Sequence, residues 1–323
     1  MSCIRTVLLA ATASLIVLDP AAGATGDVAS ASDPRVVIAD FAVDPTLPHG
    51  NSAVFFTRGS AAAFQYEPAT AARFTSDTRG SLRTTYDSTA PTSRFFSTFP
   101  GGFTQDDDFV LGAVLTIRPE GFAADPFGFH PISFSLFNAS TTGDDRTGDP
   151  SDFAADTFDT LELSYFPNES PFFGGPFLSF DVFGQQVAPD AFASFTFATV
   201  PVELEPGITY LVEMEHSALA RTLTCQVSRI RSDGAAIPQP GGPVVVDLSG
   251  LSGFLVDSLG VSAYHDGFNI FSSSGRSLYA VVDYDLLYSG PKVGGELPGD
   301  LARALKKFVK RTSRLVPVEP PLQ

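Results

Sequence analysis

The chain holds no tryptophan, two cysteines, two methionines and four histidines in 323 residues. Without tryptophan, any flat platform for a ligand falls to tyrosine or phenylalanine. Cys3 sits in the first few residues, so loss of a leader would leave Cys225 alone, and one thiol closes no intrachain disulfide. His49, His130, His216 and His265 form neither an HExxH motif nor an i,i+4 pair, so a zinc enzyme is not indicated. No G-x-S-x-G elbow occurs. Lysine is missing until Lys292, and from Thr25 to Gly290 there are 12 arginines against 32 acids, a balance of −20. Such a body repels phosphate backbones, which excludes nucleic acid as its partner.

Met1–Ala24 reads as a secretory leader. Arg5 precedes the uncharged run Thr6–Leu18, and Ala22-Gly23-Ala24 supplies a small-x-small cleavage site. The run is shorter than the ~20 residues of a membrane span. The expected mature protein begins near Thr25, has no membrane span, and is secreted, periplasmic or held at the cell surface.

What the chain has in quantity is Phe (30), Gly (28) and Pro (25), a mixture of core and turn residues. Ile132, Phe134 and Leu136 alternate with Ser133 and Ser135. Leu161, Leu163 and Tyr165 alternate with Thr160, Glu162 and Ser164, and Leu178, Phe180 and Val182 with Ser179 and Asp181. Period two with one polar parity predicts half-buried antiparallel strands. Phe109–Ile117 is apolar on both parities, the pattern of a central strand. Roughly fourteen such segments can be counted by alternation and turn punctuation. No helical period and no Pro/Ser linker interrupts them. The expectation is an all-β fold over 25–290, one antiparallel two-sheet jelly-roll sandwich. Cys225, on one parity with Leu223 and Val227, is expected in its core.

Residues 291–323 form a separate basic tail of charge +4. After Pro298-Gly299-Asp300, Leu301, Leu305, Phe308 and Leu315 recur at helical spacing, with Arg303, Lys306, Lys307, Lys310, Arg311 and Arg314 around them, and Pro317 follows. This basic amphipathic helix can dock on the acidic body or on an anionic surface.

Three segments have the form of a turn feeding a strand or a strand itself: Gln105-Asp-Asp-Asp-Phe-Val-Leu111, Pro131–Asn138 and Leu204-Glu-Pro-Gly-Ile-Thr-Tyr-Leu-Val212. Asp257–Val261 then precedes the closing strand Ser277–Tyr288. In this order the chain resembles exported bacterial sandwich modules of the concanavalin A and laminin G-like kind over residues 100–290. The resemblance is one of strand rhythm. It implies a jelly roll, and a family that holds glycan-binding modules, glycosidases and adhesion modules.

Two acidic clusters invite a calcium reading: Asp106, Asp107 and Asp108, and the loop acids Asp144, Asp145 and Asp149 with Asp152, Asp156 and Asp159. Calcium takes six to eight oxygen ligands. Asp also caps turns, and no EF-hand spacing is present. For hydrolysis, Glu213/Glu215 and Glu203/Glu205 each place two acids on one strand parity, about 7 Å apart, and read as the solvent side of edge strands. The candidate ligand contacts are Tyr165, Tyr264 and, in an apolar Pro/Gly loop, Phe172 and Phe173. If exposed, that loop is an adhesive patch; if buried, it caps the sandwich. Asn138-Ala-Ser and Asn168-Glu-Ser match the glycosylation triplet. The preferred reading is an exported, non-enzymatic sandwich that binds glycan or another cell-surface ligand with calcium as support. A secreted carbohydrate-active enzyme and an envelope protein anchored by its basic tail are the alternatives.

Overall fold

Alternation becomes two layers. The computed structural model describes residues 33–41, 44–46, 54–68, 80–125, 130–139, 158–167, 175–185, 194–231, 234–265, 276 and 278–312. All belong to the unit Ser32–Gln323; Met1–Ala31 is a separate unit, so the leader expected at Met1–Ala24 lies outside the described residues.

The strands are β1 (Val37–Ala39), β2 (Phe56–Arg58), β3 (Phe64–Glu67), β4 (Ser81–Asp87), β5 (Ser93–Thr104), β6 (Phe109–Ala124), β7 (Ile132–Phe137) and β8 (Thr160–Phe166). They continue with β9 (Phe177–Phe183), β10 (Phe195–Pro201), β11 (Thr209–Ser217), β12 (Thr222–Ile230), β13 (Ala236–Pro238), β14 (Val244–Asp247), β15 (Leu255–Ala263) and β16 (Leu278–Pro291). One helix, α1 (Gly299–Thr312), follows.

A nine-stranded sheet runs β13-β12-β11-β6-β16-β4-β3, with β1 beside β16 and β14 beside β12. A seven-stranded sheet runs β10-β9-β8-β7-β15-β5-β2. The pairings are antiparallel. The all-β sandwich expected from alternation is thus present. Phe109–Ile117 falls in β6, between β11 and β16, which is the central position its two apolar parities require.

The inner faces form one core. Leu161, Leu163 and Tyr165 of β8 meet the inward sets of the other sheet, including Leu82, Leu115, Val212 and Val282. Phenylalanine fills it: Phe103 stacks on Phe109 at 4.8 Å, and Phe55 on Phe95 at 5.0 Å. Each such ring, fully buried, stabilises the fold by about 1.5–3 kcal/mol. The hydroxyls of Tyr86 and Tyr284 lie 2.7 Å apart in the core, and Tyr86 also donates to the Ser133 carbonyl, so neither polar tip is stranded. Cys225 is buried as expected, and burial pushes its thiol far up.

A second, smaller apolar cluster lies on the outer face of the nine-stranded sheet. Val36, Val110, Val114, Leu286 and Tyr288 are covered there by Leu301 of α1, with Leu297 and Leu305 packed against them. Arg303 and Lys306 of the helix are exposed. The helix therefore turns an apolar stripe to the sheet, as its spacing predicts. Phe308 and Leu315 lie outside the residues whose side chains are described.

The two glutamate pairs are not on edge strands. Glu213 lies in β11, between β12 and β6, and accepts a hydrogen bond from Tyr288 of β16. That bond crosses β6 at Gly112, where a Cβ would stand 2.5 Å from the Tyr288 ring. Glu215 pairs with Lys292 at 2.5 Å. Glu203 and Glu205 precede β11 in an exposed connection rather than in a strand.

Candidate functional site

The outer face of the seven-stranded sheet carries polar chemistry that a solvent-washed face does not need. Registers place Phe197 of β10 opposite Asp181 of β9, Asp181 opposite Glu162 of β8, Glu162 opposite Ser135 of β7, and Ser135 opposite Gly260 of β15. This row grades from exposed to sealed. Phe197 is 48% exposed, Asp181 is half-buried, and Glu162 and Ser135 are buried.

Two further rows flank it. On one side stand Phe195, Phe183, Thr160 and Phe137. Phe195 is 62% exposed, and its ring lies 6.2 Å from that of Phe197 with an interplanar angle of 11°. Phe183 stacks behind Phe195 at 5.9 Å. Three nearly parallel phenyl rings thus line the edge of the face. On the other side stand Thr199, Ser179, Ser164, Ser133, Ser262 and Arg94.

The acids are held by short local bonds. Ser179 Oγ donates to Asp181 at 2.7 Å, Ser164 Oγ to Glu162 at 3.0 Å, and Tyr264 Oη to the other oxygen of Glu162 at 2.5 Å. Each serine lies two residues from its acid, the same-face spacing of a strand. Burial pushes the Asp181 carboxyl up to about 7; the neighbouring Glu162 charge adds to this, and the Ser179 bond opposes it. At neutral pH the Asp181 carboxyl is therefore protonated in a large share of the molecules. Burial, with the Glu162 charge beside it, raises Tyr264 as well, so its hydroxyl remains a donor. Arg94 donates to Ser262 Oγ at 2.9 Å and lies over the Phe137 ring at 4.3 Å. Ser135 Oγ is buried with no hydrogen-bond partner among the described residues. A buried hydroxyl in that state is a hydrogen-bonding site with its capacity unspent.

The residues picked out by sequence fare differently. Tyr264 belongs to this face through its bond to Glu162. Tyr165 does not: its parity matches Leu161 and Leu163, so it points into the core, where its hydroxyl accepts the Leu204 amide at 3.0 Å. Phe172, Phe173, Asp144, Asp145 and Asp149 lie outside the described residues. Asp106, Asp107 and Asp108 form the turn between β5 and β6, and each has its own partner. Asp107 binds Arg35 at 2.9 Å and both the amide and hydroxyl of Thr104 at 2.9 Å. Burial pushes its carboxyl up, but these bonds outweigh burial and leave it lowered. Asp108 accepts the Ala218 amide at 2.8 Å, and Asp106 lies 3.8 Å from Arg221. The three carboxylates diverge, which the bare run of Asp could not show. Among the described residues, no group of three or more His, Cys, Asp or Glu side chains is placed to hold a metal ion.

Glu162 and Asp181 are the residues that sequence reasoning passed over. Both sit on the polar parity of consecutive strands, and that parity was read as solvent-facing. The signal was the recurrence of Ser-x-acid and acid-x-Ser on that parity in β8 and β9.

No family model and no curated protein matches the chain. Among solved structures it is similar to the Emp47p carbohydrate recognition domain (12% identity, TM-score 0.44, covering 81% of this chain and 100% of that one). It is similar to lectin II from Ulex europaeus (14%, 0.44, 81% and 100%). A third is a GH16 protein from the mixed-linkage glucan locus of Bacteroides ovatus (11%, 0.47, 78% and 99%). These are concanavalin A-like jelly rolls, the fold that the strand rhythm resembles. At such scores the likeness carries no argument about ligand or residues.

Proposed function

We propose that this chain is an exported sandwich protein that binds glycan on the outer face of its seven-stranded sheet. One observation carries the reading: the registered row Phe197–Asp181–Glu162–Ser135, which begins at an exposed stacked ring and ends at a buried hydroxyl without a hydrogen-bond partner among the described residues. A sugar ring has an apolar face and a rim of hydroxyls. Phe195 and Phe197 offer flat apolar area to the first, and the half-buried Asp181 beside Phe197 offers hydrogen bonds to the second. Calcium enters this reading as a support held by the loop acids Asp144, Asp145 and Asp149. The basic helix serves the fold through Leu301 and leaves Arg303 and Lys306 for an anionic surface.

The test is binding of the mature protein to a glycan array, repeated with Phe195→Ala/Phe197→Ala. Both rings are already exposed, so their loss should leave the fold intact, within about 0.5 kcal/mol each. The reading expects at least one bound glycan and its loss in the double variant. Binding that survives removal of both rings would place the site elsewhere.

A carbohydrate-active enzyme is the second reading, favoured by the same acids. Two carboxyls on adjacent strands, one of them raised to about 7 by burial, are the equipment of glycoside hydrolysis. Release of reducing ends, abolished in Glu162→Gln with binding retained, would establish it.

A further inference from the structure

This inference rests on the glycan reading of the same face and concerns how far its apolar platform extends. β10 ends the seven-stranded sheet, and among the described residues it pairs with β9 alone. About half of its backbone amides and carbonyls therefore point away from the sheet, where water or another strand must satisfy them. The other strands with a single neighbour, β1, β2, β3, β13 and β14, are three or four residues long. Four of them carry a charge or a proline: Arg58, Glu67, Pro238 and Asp247. Shortness, charge and proline are the devices that keep sheet edges from pairing. β10 has seven residues in unbroken register with β9, no charge, and proline only at its last position, Pro201. The uncharged stretch runs from Ala191 to Val202. The strand is also held ready at both ends. Ser194 Oγ, just before it, lies 2.9 Å from Ser252 Oγ, and the Val202 amide, just after it, donates to the Pro176 carbonyl at 3.1 Å.

We propose that β10 pairs antiparallel with β10 of a second copy about a two-fold axis, so that the phenyl ladders of the two copies join into one platform. The strand matches itself when reversed. An axis through Phe197 sets it opposite the second copy's Phe197, and sets Phe195 opposite that copy's Thr199. Residues directly opposite in an antiparallel pair share a face. Phe195, Phe197 and Thr199 of both copies then lie on the outer face, and Thr196 and Ala198 of both on the inner one. The rings of Phe183, Phe195 and Phe197, already stacked in one copy, run on into those of the other. A seam without charge lets two bodies, each with 12 arginines against 32 acids between Thr25 and Gly290, meet with no like charges opposed across it. Seven residues make a seam about 24 Å long, a small contact that gives a reversible dimer rather than a permanent one.

The experiment is sedimentation equilibrium of the full mature protein across the micromolar range, in low and in high salt. The proposal expects a monomer–dimer equilibrium that tightens with salt, as repulsion between the two acidic bodies is screened. Phe197→Lys sets two like charges against each other across the axis and should weaken association about 100-fold. The ring it removes is exposed, so circular dichroism and the melting temperature should stay those of the parent. Phe56→Lys, at an exposed ring of β2 on the opposite border of the same sheet, should leave association unchanged. A protein that stays monomeric, a dimer that loosens with salt, a dimer that survives Phe197→Lys, or an equal loss in Phe56→Lys overturns the pairing. The glycan array separates this from the reading beneath it. A monomer that binds glycan overturns the pairing alone, and a dimer broken by Phe197→Lys whose array is blank overturns the glycan reading alone.

Discussion

Replacing Asp181 by Asn should make the protein more stable, and only at high pH. Folding moves the Asp181 carboxyl from its ordinary 3.8 to about 7. A raised carboxyl favours the folded state while protonated. That contribution is complete below pH 3.8 and is lost as pH rises through 7. A difference of about three units at 1.36 kcal/mol each is on the order of 4 kcal/mol. Asn is nearly the same size, accepts the Ser179 bond as Asp does, and does not ionise. Urea unfolding of the two proteins, side by side from pH 4 to pH 9, reads the difference directly. The advantage of Asp181→Asn should be small at pH 4 and climb by about 1.4 kcal/mol per unit across the window. It should then level off above pH 8. Because burial is the main cause of the rise and the Glu162 charge the lesser one, the same climb in a Glu162→Gln background should be smaller but present. A stability difference that does not change with pH would refute the placement of Asp181 in a dry, unneutralised corner.

Three further outcomes follow from packing. Gly112→Ala puts a methyl 2.5 Å from the Tyr288 ring and should cost about 1–3 kcal/mol; combined with Tyr288→Ala, the two losses should sum to less than their separate values, as read by denaturant titration. Leu301→Ala, at a fully buried position under α1, should cost about 2–3 kcal/mol in the same assay, and a loss below about 0.5 kcal/mol would mean that the helix does not hold the sheet. Cys225, 1% exposed and with its thiol pushed up by burial, should react with a thiol reagent only as fast as the protein unfolds.

How far the sequence speaks can be judged strand by strand. Leu161, Leu163 and Tyr165 declare a strand and its inner parity, because side chains alternate whatever the neighbours are. The same fact places Tyr165 in the core, 2% exposed, with its hydroxyl accepting the Leu204 amide. The double apolar parity of Phe109–Ile117 declares a central strand. Alternation does not say which strands become neighbours or what lies over a polar parity. Asp181 and Glu162 face each other only because β8 and β9 pair in one register, and that register is a property of the folded sheet. Glu213 looks like a solvent residue until Gly112 lets Tyr288 reach across β6 to it. The three aspartates at 106–108 look like a cation site until the fold turns each toward a different partner.

The most direct measurement is a structure of the mature protein with a bound oligosaccharide. The account predicts a sugar ring over Phe195 and Phe197, with a hydroxyl group within hydrogen-bond distance of Asp181. A sugar seated on any other surface, with that face empty, would contradict it.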